Sequence, residues 1–208
     1  MIESGRIVEI LIPHPLYMAV QILVEKKKLD KSPLSIHKLG DRVLRQPAKR
    51  VNKVDDELRQ TVVQMLQTMY TADGVGLAAP QVGIHKQLIV IDSEPENPAA
   101  PPLILINPEV KNCGKVLAKD QEGCLSVPGV YMDVERPETV EISYKDENGR
   151  PCRLKTDGFL ARIIQHEMDH LSGVLFVDRI DDSLTLTAEL KKHGLSIQAV
   201  QPISLGVR

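Results

Sequence analysis

The 208-residue chain has no tryptophan, two phenylalanines and four tyrosines, so it offers few rings on which bases could stack. It also lacks an excess of either charge. Its 26 Lys+Arg against 28 Asp+Glu give a formal net charge of −2, which supplies no basic field for a phosphate backbone. Direct nucleic-acid binding is therefore not expected. No apolar run approaches the roughly 20 residues of a membrane-spanning helix, so no membrane association is expected either. Glu3, Glu9 and His14 interrupt the apolar N-terminal stretch, no basic segment precedes it as in a secretory signal, and the two acids argue against an organellar transit peptide. The three cysteines, Cys113, Cys124 and Cys152, are odd in number and widely spaced, unlike a disulfide scaffold, and point to a reducing compartment. A cytoplasmic location is the expectation from these absences.

Hydrophobic residues make up 42% of the chain, close to the globular average of about 45–50%, which is enough for a buried core. Residues 1–32 end in a charged run and are expected to be a solvated N-terminal extension. The stretch from Met18 runs into the core without a break, so a translation start at Met18 rather than Met1 is one reading of that extension. A single domain over residues 33–180 follows, and residues 181–208 are expected to form a C-terminal extension with one short helix over 184–193, ended by Gly194.

Within the domain, Asp55, Asp56 and Glu57 load acid at the start of a helix over residues 55–71, in which Leu58, Val62, Met65, Leu66 and Met69 recur at helical spacing. Asp73-Gly74 is expected to end it. Strand-like runs cover residues 87–92 and 103–107, with a proline-rich loop between them. Residues 138–145 alternate Val140, Ile142 and Tyr144 with polar side chains, and Asn148-Gly149 signals a hairpin turn into Cys152 and Leu154. A second helix is expected over residues 157–172, closed by Gly173, with Phe159, Ile163, His166 and His170 on one buried stripe. These elements predict an α+β domain of mostly antiparallel sheets around a central metal-binding helix.

That helix carries His166-Glu167-Met168-Asp169-His170. Two histidines four apart project from the same helical face, close enough to share one metal ion, with a glutamate between them to serve as a base. Buried imidazoles need partners in any case. A catalytic site needs a third protein ligand and one open position. A third histidine six residues beyond the second is ruled out, because that position is Phe176. Glu189, 19 residues after His170, would give a metallopeptidase. Cys124, in Glu122-Gly123-Cys124-Leu125-Ser126, is the better candidate, since Gly123 leaves room for a cramped backbone and a soft thiolate suits a transition metal. Cys113 and Cys152 carry no expected role beyond packing. The third segment, Gly74-Val75-Gly76-Leu77-Ala78-Ala79-Pro80-Gln81, reads as a turn whose glycines permit a close approach. Its glutamine could donate an amide N–H to an oxyanion.

Taken together and in order, residues 74–81, 122–126 and 165–170 resemble the three motifs of the peptide deformylases, and the likeness spans about residues 34–180. The resemblance implies a metal-dependent hydrolase that removes the formyl group from the N-terminal formyl-methionine of newly synthesised polypeptides and releases formate. It places the metal ligands on Cys124, His166 and His170, the catalytic carboxylate on Glu167, and the oxyanion donors on the Gln81 side chain and the Leu125 backbone N–H. It also implies that Gly74, Val75 and Gly76 pair with the peptide in strand fashion, next to Gly123, and that Val75, Arg162, Ile163 and the His166 ring line a methionine pocket. An arginine in such a pocket would lay its stem on the wall and carry its head to solvent. Tyr131, seven residues after Cys124 where many bacterial members have arginine, resembles the cyanobacterial and plastid branch, which makes the plastid stroma the alternative location.

The family likeness further implies Fe2+ as the native metal, with Zn2+, Ni2+ or Co2+ as substitutes, formyl-methionyl nascent peptides as partners, proximity to the ribosome, and a monomer. Two rival readings remain at this level. One is a metallopeptidase using His166, His170 and Glu189. The other is a non-enzymatic domain with a structural metal, although structural zinc normally fills all four positions with protein ligands.

Overall fold

A computed structural model of the chain describes residues 7–10, 19–22 and 24–203. The alternative start at Met18 falls outside the described residues. Strands β1 (Ile7–Ile10) and β2 (Ala19–Ile22) pair as a separate antiparallel hairpin. Helix α1 (Asp56–Thr71) starts where the Asp55 side chain accepts the Leu58 N–H, satisfying a donor that the first helical turn cannot. Strands β3 (Gly76–Ala78), β4 (Leu88–Ile91) and β5 (Leu103–Cys113) follow. Next come β6 (Leu117–Cys124), β7 (Val127–Pro137), β8 (Thr139–Lys145) and β9 (Pro151–Asp157). Helix α2 (Gly158–Leu171) and helix α3 (Ser183–Lys192) complete the chain. The main sheet has the order β3-β4-β5-β8-β9 and is antiparallel throughout, while β6 and β7 form a second hairpin. The expected α+β architecture is thus present.

Two hydrophobic cores explain why β4 is apolar at every position. Leu88 and Val90 face α1, packing with Leu58, Val62, Met65, Leu66 and Met69. Ile89 and Ile91 face the other way, onto Ala161, Ile164 and Leu171 of α2. A strand covered on both faces has no polar side to show. Helix α2 therefore lies against one face of the sheet and presents its histidines toward the β6–β7 hairpin. A third core joins Val127, Val130 and Val134 of that hairpin to Phe176, Leu186 and Leu190.

Three details differ from the sequence reading. Helix α1 ends with Asp73, not Gly74, in the left-handed region, at φ +57°; aspartate tolerates this conformation better than most residues. Gly74 is small for another reason: a Cβ there would lie 2.7 Å from Leu125 Cδ1. Phe159 leaves the buried stripe and is 57% exposed, because the first turn of α2 overhangs an open cleft rather than the sheet. Residues 181–203 carry the expected short helix, as α3, but pack into the domain instead of standing apart as an appendage. Leu186 and Leu190 are buried in the third core, and the Gln201 and Ile203 N–H groups donate to Asp178.

Candidate active site

The register of the β6–β7 hairpin positions the thiol. Pairing runs regularly from Leu117↔Pro137 to Gly123↔Tyr131, then slips, so that Cys124 pairs with Val127 across the two-residue turn Leu125-Ser126. The slip leaves residues 128–130 unpaired, with Pro128 and Gly129 exposed and Val130 buried in the third core, and brings Cys124 to face α2. Its Sγ lies 3.3 Å from His170 Nε2, and the donor atoms of Cys124, His166 and His170 all fall within 4.8 Å of one another. A thiolate and two imidazoles at this spacing fit one transition-metal ion with a position left open. Glu189 does not take part. It is not among the groups that converge with the histidines, and its carboxylate is engaged on α3 by Lys192 at 2.6 Å and His193 at 3.5 Å.

The His166 ring is fixed by Glu122, whose Oε2 lies 2.8 Å from Nδ1. This leaves Nε2 for the metal and sets the ring's orientation. Glu122 is itself held by Arg136, which donates from Nε at 2.5 Å and Nη2 at 2.9 Å. Arg136 also reaches Asp169 on α2 at 2.8 Å. Burial works against the Glu122 anion, but Arg136 and His166 outweigh it and hold the carboxyl well below the usual range. Burial likewise opposes the charged form of His166, yet Cys124 and Glu122 keep its imidazole well above the ordinary histidine value. The buried His170, facing His166 and Arg136, is pushed well below it. Both rings must be neutral to act as ligands, so a bound metal ion would compete with the proton that Cys124 and Glu122 favour on His166.

Glu167 is buried, and its Oε2 has no hydrogen-bond partner among the described residues. Burial raises its carboxyl to about 7, close to the working pH of a general acid and base. The opposite wall presses against it: a Cβ on Gly76 would clash with Glu167 Oε1. Only glycine fits there, which is the close approach the motif requires. Gln81 is also buried. Its Oε1 accepts the Ala78 N–H at 2.8 Å, so its Nε2 must point inward, where it lies 3.5 Å from Cys124 Sγ and 3.2 Å from Ser126 Oγ.

These groups lie at the base of a cleft of about 650 Å³ lined by Gly74, Val75, Gly76, Gln81, Gly123, Cys124, Leu125, Tyr131, Arg162, Ile163, His166 and Glu167. All the site residues that the family resemblance implies line it except His170, whose Nε2 lies against Cys124 Sγ. Arg162 departs from its expected geometry. The residue lines the cleft, but its head turns inward to Glu122 at 2.8 Å and to the carbonyls of Val134 and Ala118 at 2.9 and 2.7 Å. Those acceptors, buried together, outcompete solvent for a guanidinium. Arg136 carries no local signal that ties it to the site, and Asp169, although inside the His166–His170 motif, has no role that the motif itself discloses. Glu122 lies two residues before Cys124, and only the fold reveals its role.

A family model described as polypeptide deformylase matches residues 33–185. The chain is 69% identical over 187 residues to a peptide deformylase of Microchaete diplosiphon, covering 90% of this chain and 100% of that protein. It is 67% identical over the same length to peptide deformylase 1 of a Nostoc species. Among solved structures, a Synechococcus elongatus peptide deformylase in complex with actinonin has 68% identity and a TM-score of 0.88, covering 88% of this chain and 100% of that one. A plant peptide deformylase has 39% identity and a TM-score of 0.72, covering 81% and 97%.

Proposed function

Since the chain belongs to the polypeptide deformylase family, an enzyme family that removes the formyl group from the N-termini of newly made polypeptides, we propose which residues carry that reaction here. Cys124, His166 and His170 would hold one divalent metal, which when bound supplies Lewis acidity and eases loss of a proton from water near neutral pH. Glu167 takes a proton from the attacking water as its oxygen adds to the formyl carbon. Gln81 Nε2 and the Leu125 N–H donate to the oxygen that becomes negative, a charge that exists only near the transition state. Glu167 then returns the proton to the departing amine nitrogen as the C–N bond breaks, leaving formate and a free α-amine. Its carboxyl, raised to about 7 by burial, suits both transfers. Val75, Ile163 and the flank of the His166 ring receive the methionine side chain, while the backbone of residues 74–76 pairs with the peptide on one side and Gly123 and Tyr131 border it on the other. Arg162 shapes this pocket through its stem alone.

Fe2+ is the native metal in this reading, with Zn2+, Ni2+ or Co2+ able to replace it. The mixed sulfur and nitrogen donor set accepts all four. The protein works as a monomer near the ribosome in the cytoplasm or, alternatively, in the plastid stroma. No helix among the described residues is long and apolar enough to cross a membrane. The catalytic unit is residues 33–180, flanked by two extensions.

The observation that carries this assignment is the convergence of Cys124, His166 and His170 beside a buried Glu167 whose Oε2 has no hydrogen-bond partner among the described residues. Formate release from a formyl-methionyl peptide, by protein prepared anaerobically with Fe2+, tests it alongside Cys124→Ser and Gln81→Ala. Turnover is expected in the wild type and none in the serine variant, and loss of one oxyanion donor lowers kcat about 100- to 1,000-fold. Equal turnover by wild type and Cys124→Ser would overturn the ligand set.

A further inference from the structure

The wall of the cleft at residues 74–76 is braced from behind by a segment that precedes the matched family region. The Lys26 side chain is 9% exposed, and its Nζ lies 2.6 Å from Asp92 Oδ2, on a carboxylate that is 2% exposed. The same ammonium donates to the carbonyls of Asn97 at 2.8 Å and Glu94 at 3.1 Å. Tyr70, in the last turn of α1, donates its hydroxyl to Asp92 Oδ2 at 2.7 Å, and the Glu94 N–H donates to Oδ1 at 3.0 Å. Asp92 in turn donates its backbone N–H to the Val75 carbonyl at 2.8 Å. The chain from Lys26 to the peptide-facing loop therefore has two links, Lys26–Asp92 and Asp92–Val75.

The rest of the segment grips the other stem of that loop. Lys28 pairs with Asp73 at 2.7 Å. The Leu29 N–H donates to Thr71 Oγ1 at 3.3 Å, and that of Leu34, just inside the matched region, donates to Thr68 Oγ1 at 3.2 Å. Among the described residues, Lys26 is the one cation paired with Asp92. A buried carboxylate that loses its cation is left uncompensated and must turn toward water. That movement, with loss of the Lys26 bonds to the Glu94 and Asn97 carbonyls, frees residues 92–97 and, with them, the anchor of Val75.

We propose that Lys26 is a positioning residue for deformylation. Acting through Asp92, it holds the wall at residues 74–76 at the spacing that receives the formylated peptide. The proposal rests on the reading that the peptide docks along this wall. Because Lys26 touches neither the metal ligands nor Glu167, its loss should weaken peptide binding and leave the chemical step largely intact.

The test compares full-length wild type, Lys26→Met and Lys26→Arg, loaded with the same metal, by steady-state kinetics on a formyl-methionyl tripeptide and by amide hydrogen exchange. Lys26→Met is expected to raise KM about tenfold with kcat within twofold, to keep its metal content, and to exchange faster at residues 73–76 and 92–97 only. Lys26→Arg is expected to restore both readouts. An unchanged KM, a fall in kcat alone, or faster exchange spread over the whole chain would overturn the proposal. Should Lys26→Met fail to fold, Lys26→Gln can still donate to the Glu94 and Asn97 carbonyls and gives the same two readouts. A wild type that did not turn over the tripeptide would sink the docking reading instead, and the local exchange at residues 73–76 would still decide whether Lys26 braces the wall.

Discussion

Glu167→Gln in the metal-free protein separates stability from catalysis at one atom. Burial raises the Glu167 carboxyl from 4.5 in the unfolded chain to about 7 in the folded one. Below pH 4.5 both states hold the proton and the group costs nothing. Between 4.5 and 7 the unfolded chain ionises while the folded protein keeps its proton, so the stability present at low pH is lost progressively as pH rises. At about 1.4 kcal/mol for each tenfold difference in proton affinity, ionised Glu167 costs the folded state about 3 kcal/mol above pH 7. Glutamine never ionises. Its amide carries a burial cost of its own, but that cost is the same at every pH. Urea unfolding of chelator-treated wild type and Glu167→Gln at pH 5 and pH 8 should therefore show the variant gaining about 2 to 3 kcal/mol relative to wild type between the two conditions. The same variant, reloaded with metal, should release almost no formate. A stability difference that stays constant from pH 5 to pH 8 would refute the claim that Glu167 is held neutral by burial. It would also remove the basis for its role as a proton carrier poised near neutrality.

Further expectations concern the groups around it. Glu122→Gln leaves Arg136 and Arg162 without their buried anion, and should cost about 3–5 kcal/mol in urea unfolding and weaken metal binding about 10- to 100-fold in chelator competition. Because the Glu122 carboxyl is held below its unfolded value of 4.5, its stabilisation is present above that pH and fades as pH falls further; a difference unchanged down to pH 3 would contradict this. Arg162→Met keeps a stem of similar reach but leaves the Ala118 and Val134 carbonyls unpaired, and should destabilise by about 2–4 kcal/mol. A change within about 0.5 kcal/mol, as for an ordinary surface site, would return its head to solvent. Gly76→Ala forces a methyl group into Glu167, and should lower kcat about 100-fold while metal content stays normal, since small displacements of a catalytic group are that costly. Unaltered kcat would mean that the carboxylate has room the packing does not show.

Helix α2 and its metal-binding face were legible because everything that specifies them is local. The spacing of His166 and His170 belongs to any helix, and the apolar residues around them mark which side is buried. The same holds for the acidic start of α1 at Asp55, Asp56 and Glu57 and for the Asn148-Gly149 turn. Phe159 misled for a related reason: periodicity says which residues share a face, but not where along the helix the covering layer stops. Arg162 misled because its surroundings come from strands about 28 and 44 residues earlier in the chain, and no window on the sequence contains them.

Spacing, motif order and the family resemblance they carry pointed by themselves to an α+β metallohydrolase with a histidine pair, His166 and His170, on one helix face and Glu167 between them, and left Cys124 and Glu189 as the candidate third ligands. These are short-range patterns or recognisable motifs, and each constrains chemistry directly. Only the tertiary structure decided that Cys124 rather than Glu189 faces the histidines, because a slip of strand register between Gly123 and Cys124 aims the thiol. It alone decided that Glu122, Arg136, Arg162 and Asp169 form the buried charge cluster that orients His166, and that Lys26 belongs with Asp92. Such pairings depend on which distant segments share a low-dielectric interior, where an unpaired charge is costly and a matched one is held fast. That information arises when the chain closes on itself.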